Sequence, residues 1–278
     1  MPYRSSIGSI ALAAALTAAI AGASAFDETK YPDWKGQWGR VGSAQFDPSK
    51  PRGLGQQAPL TAEYQAIFEA WLADPEANAH RMNPTIICIP TGMPRAMILY
   101  DPMEIVVTPE TTYVLFDYMS QRRRIFTDGR GWPEKVERTF AGYSIGKWED
   151  VDGDGVYDLL AVETRGLKGP RTFDGSGIPL HTDNQTVVKE RIYLDKAKPD
   201  ILHDEITTID NALTRPWTIK RSYQRERKPI WFEYHCGEDN HFVVIRNENY
   251  FVSGDGYLMP TRKGQPAPNL RHFDEARK

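Results

Sequence analysis

The sequence predicts a mainly β protein whose strands form an antiparallel, closed or nearly closed barrel with one N-terminal helix. Ten segments between residues 104 and 235 are rich in β-branched and aromatic side chains, a composition typical of strands. Turn signals such as Thr127-Asp128-Gly129 separate them, and several links are short enough for hairpins, which join antiparallel neighbours. A meander of so many strands usually closes into a barrel, because closure removes exposed strand edges.

The strand signals follow one another from residue 34 to residue 235. A short strand lies within residues 34–41, and the other ten cover residues 104–108, 111–117, 123–127, 135–140, 144–149, 156–164, 185–194, 201–209, 218–224 and 229–235. The helix is predicted over residues 61–73, where Thr61 can cap its start and Pro75 ends it. Its apolar stripe at i, i+3, i+4 and i+7 indicates core packing and consists of Tyr64, Ile67, Phe68 and Trp71.

The N-terminus has the parts of a secretory signal peptide: Arg4, an apolar run over residues 7–20, and the small-residue site Ala23-Ser24-Ala25. We expect cleavage before Phe26. Residues 1–25 are then removed, and residues 26–278 form a single domain with a loosely ordered tail over residues 260–278. The mature protein is expected to be periplasmic or secreted and to have no membrane span. An uncleaved anchor is the alternative, but the apolar run is shorter than the roughly 20 residues that a span needs.

Two cysteines, Cys88 and Cys236, are predicted to form a disulfide in that oxidising compartment. Two separately buried thiols are the alternative. Copper binding by Cys88, Met93, Met97 and His235 is a further hypothesis, because soft sulfur ligands suit Cu(I). The formal net charge of −3 at pH 7 gives no indication of a nucleic-acid surface.

Four aspartates in the turn between two predicted strands form the most specific chemical motif, a candidate Ca²⁺ site of structural role. They are Asp150, Asp152, Asp154 and Asp158, and two glycines between them allow the sharp wrap that oxygen ligation of a hard cation needs. An EF-hand is excluded because the twelfth position is Ala161 and the flanks are strands. The stretch resembles the hairpin calcium loops of integrin-type propeller repeats, in a single copy. A solvated acidic turn is the alternative.

Six segments fall in the order seen in a family of bacterial secreted proteins of uncharacterised function. They are CIPTGMPRAM (88–97), RRRIFTDGRGWP (122–133), GYSIGKWE (142–149), HTDNQTVVKERIY (181–193), ITTIDNALTRPWT (206–218) and EYHCGEDN (233–240). The resemblance covers most of the mature chain and implies no particular activity. Members of that family have a short turn of the form WEGDTL where this chain has its acidic loop, so the loop is expected to be a local elaboration.

A second group of residues provides candidates for acid–base chemistry and anion binding. His181 lies near Asp183 in sequence, and histidine beside a carboxylate is suited to proton transfer near neutral pH. The candidate catalytic residues are His181, Glu190, Arg124, Asp128 and Arg130. Charged strand faces are more often solvated or paired for structure, and the sequence does not show that these segments meet.

Two functions are compatible with these residues. The first is a binding module that resembles the lipocalin-type barrels, with a small apolar or aromatic, possibly anionic, ligand held by polar anchors in an aromatic-walled cavity. The wall would consist of Tyr143, Trp148, Tyr193, Trp217, Tyr223 and Trp231. The second is a cofactor-independent lyase, isomerase or hydrolase in which His181 acts as acid or base and arginine stabilises negative charge. Signatures of serine hydrolases of the G-x-S-x-G type, nucleotide enzymes and zincins are missing.

Overall fold

The computed structural model describes residues 26–42, 58–231, 236, 242–245, 248–252 and 257–268. The predicted leader, residues 1–25, lies outside these ranges. The strands are β1 Gln37–Val41, β2 Met103–Val107, β3 Thr111–Phe116, β4 Arg122–Phe126, β5 Tyr143–Glu149, β6 Leu159–Arg165, β7 Val187–Leu194, β8 Ile201–Ile209, β9 Trp217–Glu226, β10 Phe242–Ile245, β11 Glu248–Val252 and β12 Leu258–Pro260. Strands β1 to β9 close into a barrel in sequence order, and β10 to β12 form a separate three-stranded sheet.

The closed barrel is confirmed, but the prediction that all its neighbours are antiparallel is wrong. Strand β4 runs parallel to β5 through the pairs Ile125↔Ser144 and Phe126↔Ile145. Parallel neighbours need a crossover connection, and residues 127–142 provide it. The strand predicted over residues 135–140 is therefore absent, since this segment crosses from one end of the barrel to the other and makes only one isolated bridge, Thr139↔Leu167.

Two α-helices precede β2 within the described residues, where the sequence indicated one. Helix α1, Ala62–Ala73, begins after Thr61, whose hydroxyl accepts a hydrogen bond from the Tyr64 amide (3.3 Å). Helix α2, Pro75–Met82, begins after Asp74, whose carboxylate accepts from the Ala77 amide (3.1 Å). Proline at the first position of α2 is compatible with a helix start, which is why the chain resumes a helix at the residue expected to end one.

The C-terminal part of the chain differs from the sequence-based expectation. Residues 229–231 are not in a strand, and the rest of the strand predicted there, residues 232–235, lies outside the described residues. Part of the predicted loose tail is bonded to the second sheet, because the Gln265 side chain donates to the Asn249 carbonyl (2.8 Å) and accepts from the Thr261 amide (2.7 Å). Residues 269–278 are outside the described ranges.

Inward-facing side chains fill the barrel. Alternate residues of a strand point to opposite faces, so Glu190 and Ile192 of β7 are buried while Lys189 and Arg191 are exposed. Apolar side chains from all around the barrel meet in one core, among them Trp38, Ile105, Val114, Ile125, Leu160, Ile206 and Ile219. The buried segment 91–98 packs into the same core through its methionines.

The cysteines form the predicted disulfide, Cys88–Cys236, with Cα atoms 5.6 Å apart. It joins the segment after α2 to the chain that leads into β10. The Cys88 sulfur is bonded in the disulfide and Met93 and Met97 lie in the core, so these three residues do not form the expected copper site. The fourth expected ligand, His235, lies outside the described residues. Within the described ranges, no helix combines the length and the apolar character that crossing a membrane requires.

Candidate functional site

A cleft of about 540 Å³ lies on the outer wall of the barrel, between the acidic β5–β6 turn and the β7–β8 turn. We call it the outer cleft. Its strand residues face outward and are direct cross-strand neighbours: Tyr193 pairs with His203, and Glu205 pairs with both Arg191 and Lys220. The antiparallel pairing of β7, β8 and β9 therefore places side chains of all three strands side by side on the outer wall. The turns add further lining, namely Val151, Val156, Tyr157, Asp158, Asp195, Lys196 and Pro199.

A hydrogen-bonded chain crosses the floor of the outer cleft and has the Tyr193 hydroxyl at its centre. This hydroxyl donates to the Glu205 carboxylate (2.8 Å) and accepts from the Lys220 ammonium (3.0 Å). The guanidinium of Arg191 lies 3.7 Å from the other Glu205 oxygen. The Tyr193 hydroxyl is thus hydrogen-bonded to one carboxylate and one ammonium group, while its ring forms part of an apolar wall.

His203 forms a second polar group on the cleft wall, packed against the Tyr193 ring at 5.3 Å between centroids. Its Nε2 lies 3.1 Å from the Asp195 carboxylate and its Nδ1 lies 2.8 Å from the Ser222 hydroxyl. The pKa of Asp195 is lowered mainly by its hydrogen bond with His203 and next by hydrogen bonds from two backbone amides. In the neutral ring, Nε2–H then donates to Asp195 and Nδ1 accepts from Ser222.

The acidic turn forms one rim of the outer cleft and is the candidate metal centre. One carboxylate oxygen from each of Asp150, Asp152 and Asp158 lies within 4.8 Å of the others. Asp154 is not part of this group, and its carboxylate accepts from the Val156 amide (2.8 Å). Of the four predicted ligands, the fold therefore brings together three. Oxygen donors at this spacing suit a hard divalent cation.

Lys196 links the acidic turn to the outer cleft. Its ammonium lies 2.7 Å from Asp152 and 3.9 Å from Asp158 and also lines the cleft. The hydrogen bond with Lys196 lowers the pKa of Asp152, and the same bond raises the pKa of Lys196. The turn therefore already has a positive partner, which is the reason a solvated acidic turn stays a full alternative to calcium.

The candidate catalytic residues do not gather at one place. Glu190 faces the barrel interior, whereas Arg124 is on the exposed face of β4. Asp128 and Arg130 pair with each other at the surface (2.9 Å from Nε to Oδ1). His181 lies in the loop before β7.

His181 belongs to a small polar group at the end of the barrel where β8 terminates. Its ring packs on Tyr64 of α1 (5.2 Å) and lies 3.1 Å from Asp183, while its backbone amide donates to Asp210 (2.9 Å). The outer cleft lies at the opposite end of β8, beside His203. The two histidines therefore lie at opposite ends of the barrel.

The aromatic side chains expected to form one cavity wall also separate. Trp148, Trp217 and Tyr223 are buried in the core, while Tyr193 lines the outer cleft and Trp231 is 45% exposed. The aromatic side chains that line the outer cleft are Tyr157 and Tyr193.

Inside the barrel, Arg123 and Glu190 form a fully buried ion pair. The guanidinium donates to both Glu190 oxygens, and also to the Ser144 hydroxyl (3.2 Å) and the Thr164 hydroxyl (2.8 Å). Asp204 of β8 lies next to this ion pair, because its cross-strand partner on β7 is Ile192, two residues after Glu190. We call Arg123, Glu190 and Asp204 the interior cluster. Its side chains are 0–2% exposed, so it is enclosed by the barrel wall.

Sequence reasoning missed Asp195, His203 and Ser222. The signal was present, because alternation along residues 201–209 places His203 and Glu205 on the face opposite to Leu202 and Asp204. The pairing of β8 with β9, which brings Ser222 to His203, required the register. Compared with known proteins, the chain matches no family model and no curated protein.

Proposed function

We propose that this protein is secreted and binds a small molecule in the outer cleft. The observation that carries the proposal is the convergence of two tyrosine rings with an ordered set of polar groups around a space of about 540 Å³. Ligand sites combine apolar walls with a few placed polar groups in this way, at volumes of roughly 300–1,000 Å³. The disulfide is in keeping with an oxidising compartment and so supports secretion.

The lining indicates the class of ligand. Tyr157 and Tyr193 offer ring faces to an aromatic or apolar body, and Lys196 and Lys220 offer ammonium groups to an acidic substituent. The Lys196 ammonium lies 2.7 Å from Asp152 and 3.9 Å from Asp158, and the Lys220 ammonium donates to the Tyr193 hydroxyl. Since an ammonium has three donors, each has at least one left for a ligand among the described contacts. A small aromatic acid fits these groups best.

Binding of benzoate, 4-hydroxybenzoate and indole-3-acetate to residues 26–278 tests the proposal by calorimetry. Tyr193→Ala should weaken binding about tenfold or more, because it removes a ring face and the partner of Lys220. The matched control is His181→Ala, at the other end of the barrel, which should leave binding unchanged. Loss of binding in the His181 variant with full binding by the Tyr193 variant would move the site to the His181 group. If none of the three acids binds, the acidic-ligand proposal has no support.

The acidic turn is proposed to bind Ca²⁺ as a structural ion. Three carboxylates within 4.8 Å repel one another, and a divalent cation would relieve this repulsion more fully than the single ammonium of Lys196. Ions that bind only the folded state stabilise it by RT ln(1 + [L]/Kd), about 2.7 kcal/mol when free calcium is 100 times Kd. The melting temperature should therefore rise between EDTA and millimolar calcium.

Two substitutions separate calcium binding from general charge effects. Asp152→Asn should remove most of the calcium-dependent rise in melting temperature, whereas Asp154→Asn, outside the group of three, should retain most of it. Lys196→Met should increase calcium affinity because the competing ammonium is gone. Identical wild-type melting curves in EDTA and in calcium, with no heat of binding, would leave the turn as a solvated, lysine-paired element.

A hydrolase is the second candidate, favoured by the Asp195–His203–Ser222 relay. A histidine held between a carboxylate and a serine hydroxyl can accept the serine proton as the oxygen attacks an acyl carbon. The same contacts also serve as a cross-strand hydrogen bond that stabilises the sheet. Hydrolysis of p-nitrophenyl acetate decides between them: Ser222→Ala should abolish turnover above the buffer rate if the relay is catalytic, and wild-type protein should show none if it is not.

A further inference from the structure

A second cleft, of about 430 Å³, crosses the outer wall of the barrel from Lys147 of β5 to Thr218 of β9. We call it the neighbouring cleft. Arg191 and Glu205 line both this cleft and the outer cleft, so the two clefts adjoin. The side chain of Val162 lies in the core, so this residue lines the neighbouring cleft with backbone atoms. The floor of the cleft is therefore the sheet itself.

Strand register places Ala161 between two cations in the neighbouring cleft. In one cross-strand row, Ala161 of β6 has Lys147 of β5 on one side and Arg191 of β7 on the other. The row continues through Glu205 to Lys220, which lines the outer cleft. Because the side chain of alanine ends at Cβ while its neighbours in the row are long, it leaves a gap with a cationic side chain on each side.

The two cations beside this gap have donors left for a ligand. Lys147 is exposed, and its ammonium has no polar partner among the described residues. Arg191 approaches Glu205 through Nε, at 3.7 Å, which leaves the terminal nitrogens of the guanidinium available. An ammonium and a guanidinium fork are both suited to hold a carboxylate.

The two carboxylates that face the neighbouring cleft are, by contrast, already engaged. Glu163 accepts a hydrogen bond from Arg165 (2.6 Å) and lies 3.4 Å from the Lys189 ammonium. Glu205 accepts from the Tyr193 hydroxyl (2.8 Å). The charge that remains for a ligand is therefore positive, which favours an anionic group over a cationic one.

We propose that the neighbouring cleft is a second carboxylate site of the outer cleft, and that the ligand is an elongated aromatic diacid. This inference rests on the function proposed for the outer cleft, which would hold the ring body and the first carboxylate. The second carboxylate would lie over Ala161 and accept hydrogen bonds from Lys147 and Arg191.

The length of the ligand follows from the spacing of the strands. Three strand spacings of about 4.8 Å separate Ala161 from Lys220, a span of about 14 Å. The carboxylates would be closer together than this, because the Lys220 ammonium reaches back to Tyr193 on β7. Two linked aromatic rings with a carboxylate at each end fit such a span.

Calorimetry with residues 26–278 compares biphenyl-4-carboxylate, which has one acid group, with biphenyl-4,4′-dicarboxylate. We expect the diacid to bind about tenfold more tightly, since its second carboxylate gains charge-assisted hydrogen bonds. Lys147→Met should remove most of this difference and leave the affinity for the monoacid unchanged, and Ala161→Leu, which fills the gap, should do the same. The matched control is Lys168→Met, exposed after β6 and outside both clefts, which should retain the full difference.

The other outcomes are distinguishable. Equal affinity of the wild type for the two acids would overturn the second carboxylate site and leave the outer cleft as a site for monoacids. If neither acid binds, the outer cleft loses its ligand as well, and both proposals fail. A preference for the diacid that persists in Lys147→Met would also overturn the second site, because the extra carboxylate then binds elsewhere. Since Lys147 is exposed, this comparison holds even if Ala161→Leu does not fold.

Discussion

Asp204 is an acidic residue in the interior of the barrel whose pKa is raised. It is fully buried, and neither of its carboxyl oxygens has a hydrogen-bond partner among the described residues. Burial, and next the charge of Glu190, raise the pKa of Asp204 well above its ordinary value, while Arg123 acts in the opposite direction. The other groups that face it are Arg221, its partner on β9, and Tyr223, whose pKa is raised by burial and by these carboxylates. A protonated Asp204 can donate a hydrogen bond to the Glu190 carboxylate. Two ionised carboxylates have no donor to share.

This proton makes stability depend on pH. Because the folded state holds it at pH values where the unfolded chain, with its ordinary pKa of about 4, has lost it, the free energy of unfolding falls as pH rises from about 4 toward the folded-state pKa. Asp204→Asn removes this dependence. The variant should gain stability relative to wild type by up to about 1.4 kcal/mol per pH unit in that window, measured by urea unfolding at successive pH values. Asp101→Asn, at the exposed surface, is the control and should track wild type. A constant difference at all pH values would show that folding does not raise the pKa of Asp204.

The parallel junction of β4 and β5 is one of the two barrel junctions with the fewest residue pairs, together with β1–β2. It has two residue pairs, whereas the β5–β6 neighbour has seven. Arg123 of β4 bridges the junction, since it bonds to Ser144 on β5, Thr164 on β6 and Glu190 on β7. The guanidinium thus ties four strands at a junction with only two backbone pairs.

Removal of one partner of this pair should be costly. Arg123→Leu leaves the Glu190 carboxylate buried without its partner, and we expect a loss of about 3–5 kcal/mol in the free energy of unfolding by urea titration. The double variant Arg123→Leu with Glu190→Leu should recover much of this loss, because no buried charge is left unpaired. Arg124→Leu, one residue on and exposed, is the control and should change stability by no more than about 0.5 kcal/mol. A double variant as unstable as the single one would show that the hydrogen bonds to the hydroxyls dominate.

At the scale of the whole molecule, the disulfide joins parts of the chain that the barrel itself does not connect. Cys88 and Cys236 are 148 residues apart in sequence, and nearly all of the barrel lies between them. A crosslink of this length removes conformational entropy from the unfolded chain, by roughly 5 kcal/mol at 25 °C in the chain-entropy model. Its stabilisation should therefore act on the molecule as a unit.

Cys88→Ser with Cys236→Ser should lower the melting temperature without a change in the barrel's circular dichroism at room temperature. The free energy of unfolding should fall by about 2–5 kcal/mol, the range found for native disulfides. Dithiothreitol should reproduce the loss in wild type and have no effect on the double variant. Two free thiols in unreduced, denatured wild-type protein would contradict the bond.

The sequence by itself determined the nine strands of the barrel and the first helix, because these depend on local periodicity, but it did not indicate β10 to β12. Residues 201–209, for example, alternate apolar and polar side chains over the whole length of β8, and the stripe from Tyr64 to Trp71 repeats at the helical period. It also indicated closure, since a long meander leaves edges unless it closes. The parallel junction could not be predicted in this way, because the direction of β5 depends on where residues 127–142 cross.

Only the tertiary structure decided the sites. His203, Ser222 and Lys220 become neighbours through the register of β8 and β9, and a shift of one residue would turn each to the other face. For the same reason Glu190 entered the interior to meet Arg123, while Arg124 faced solvent away from the cleft. Residue type and spacing mark which side chains can do chemistry, but which of them meet is set by pairings between strands that are distant in sequence.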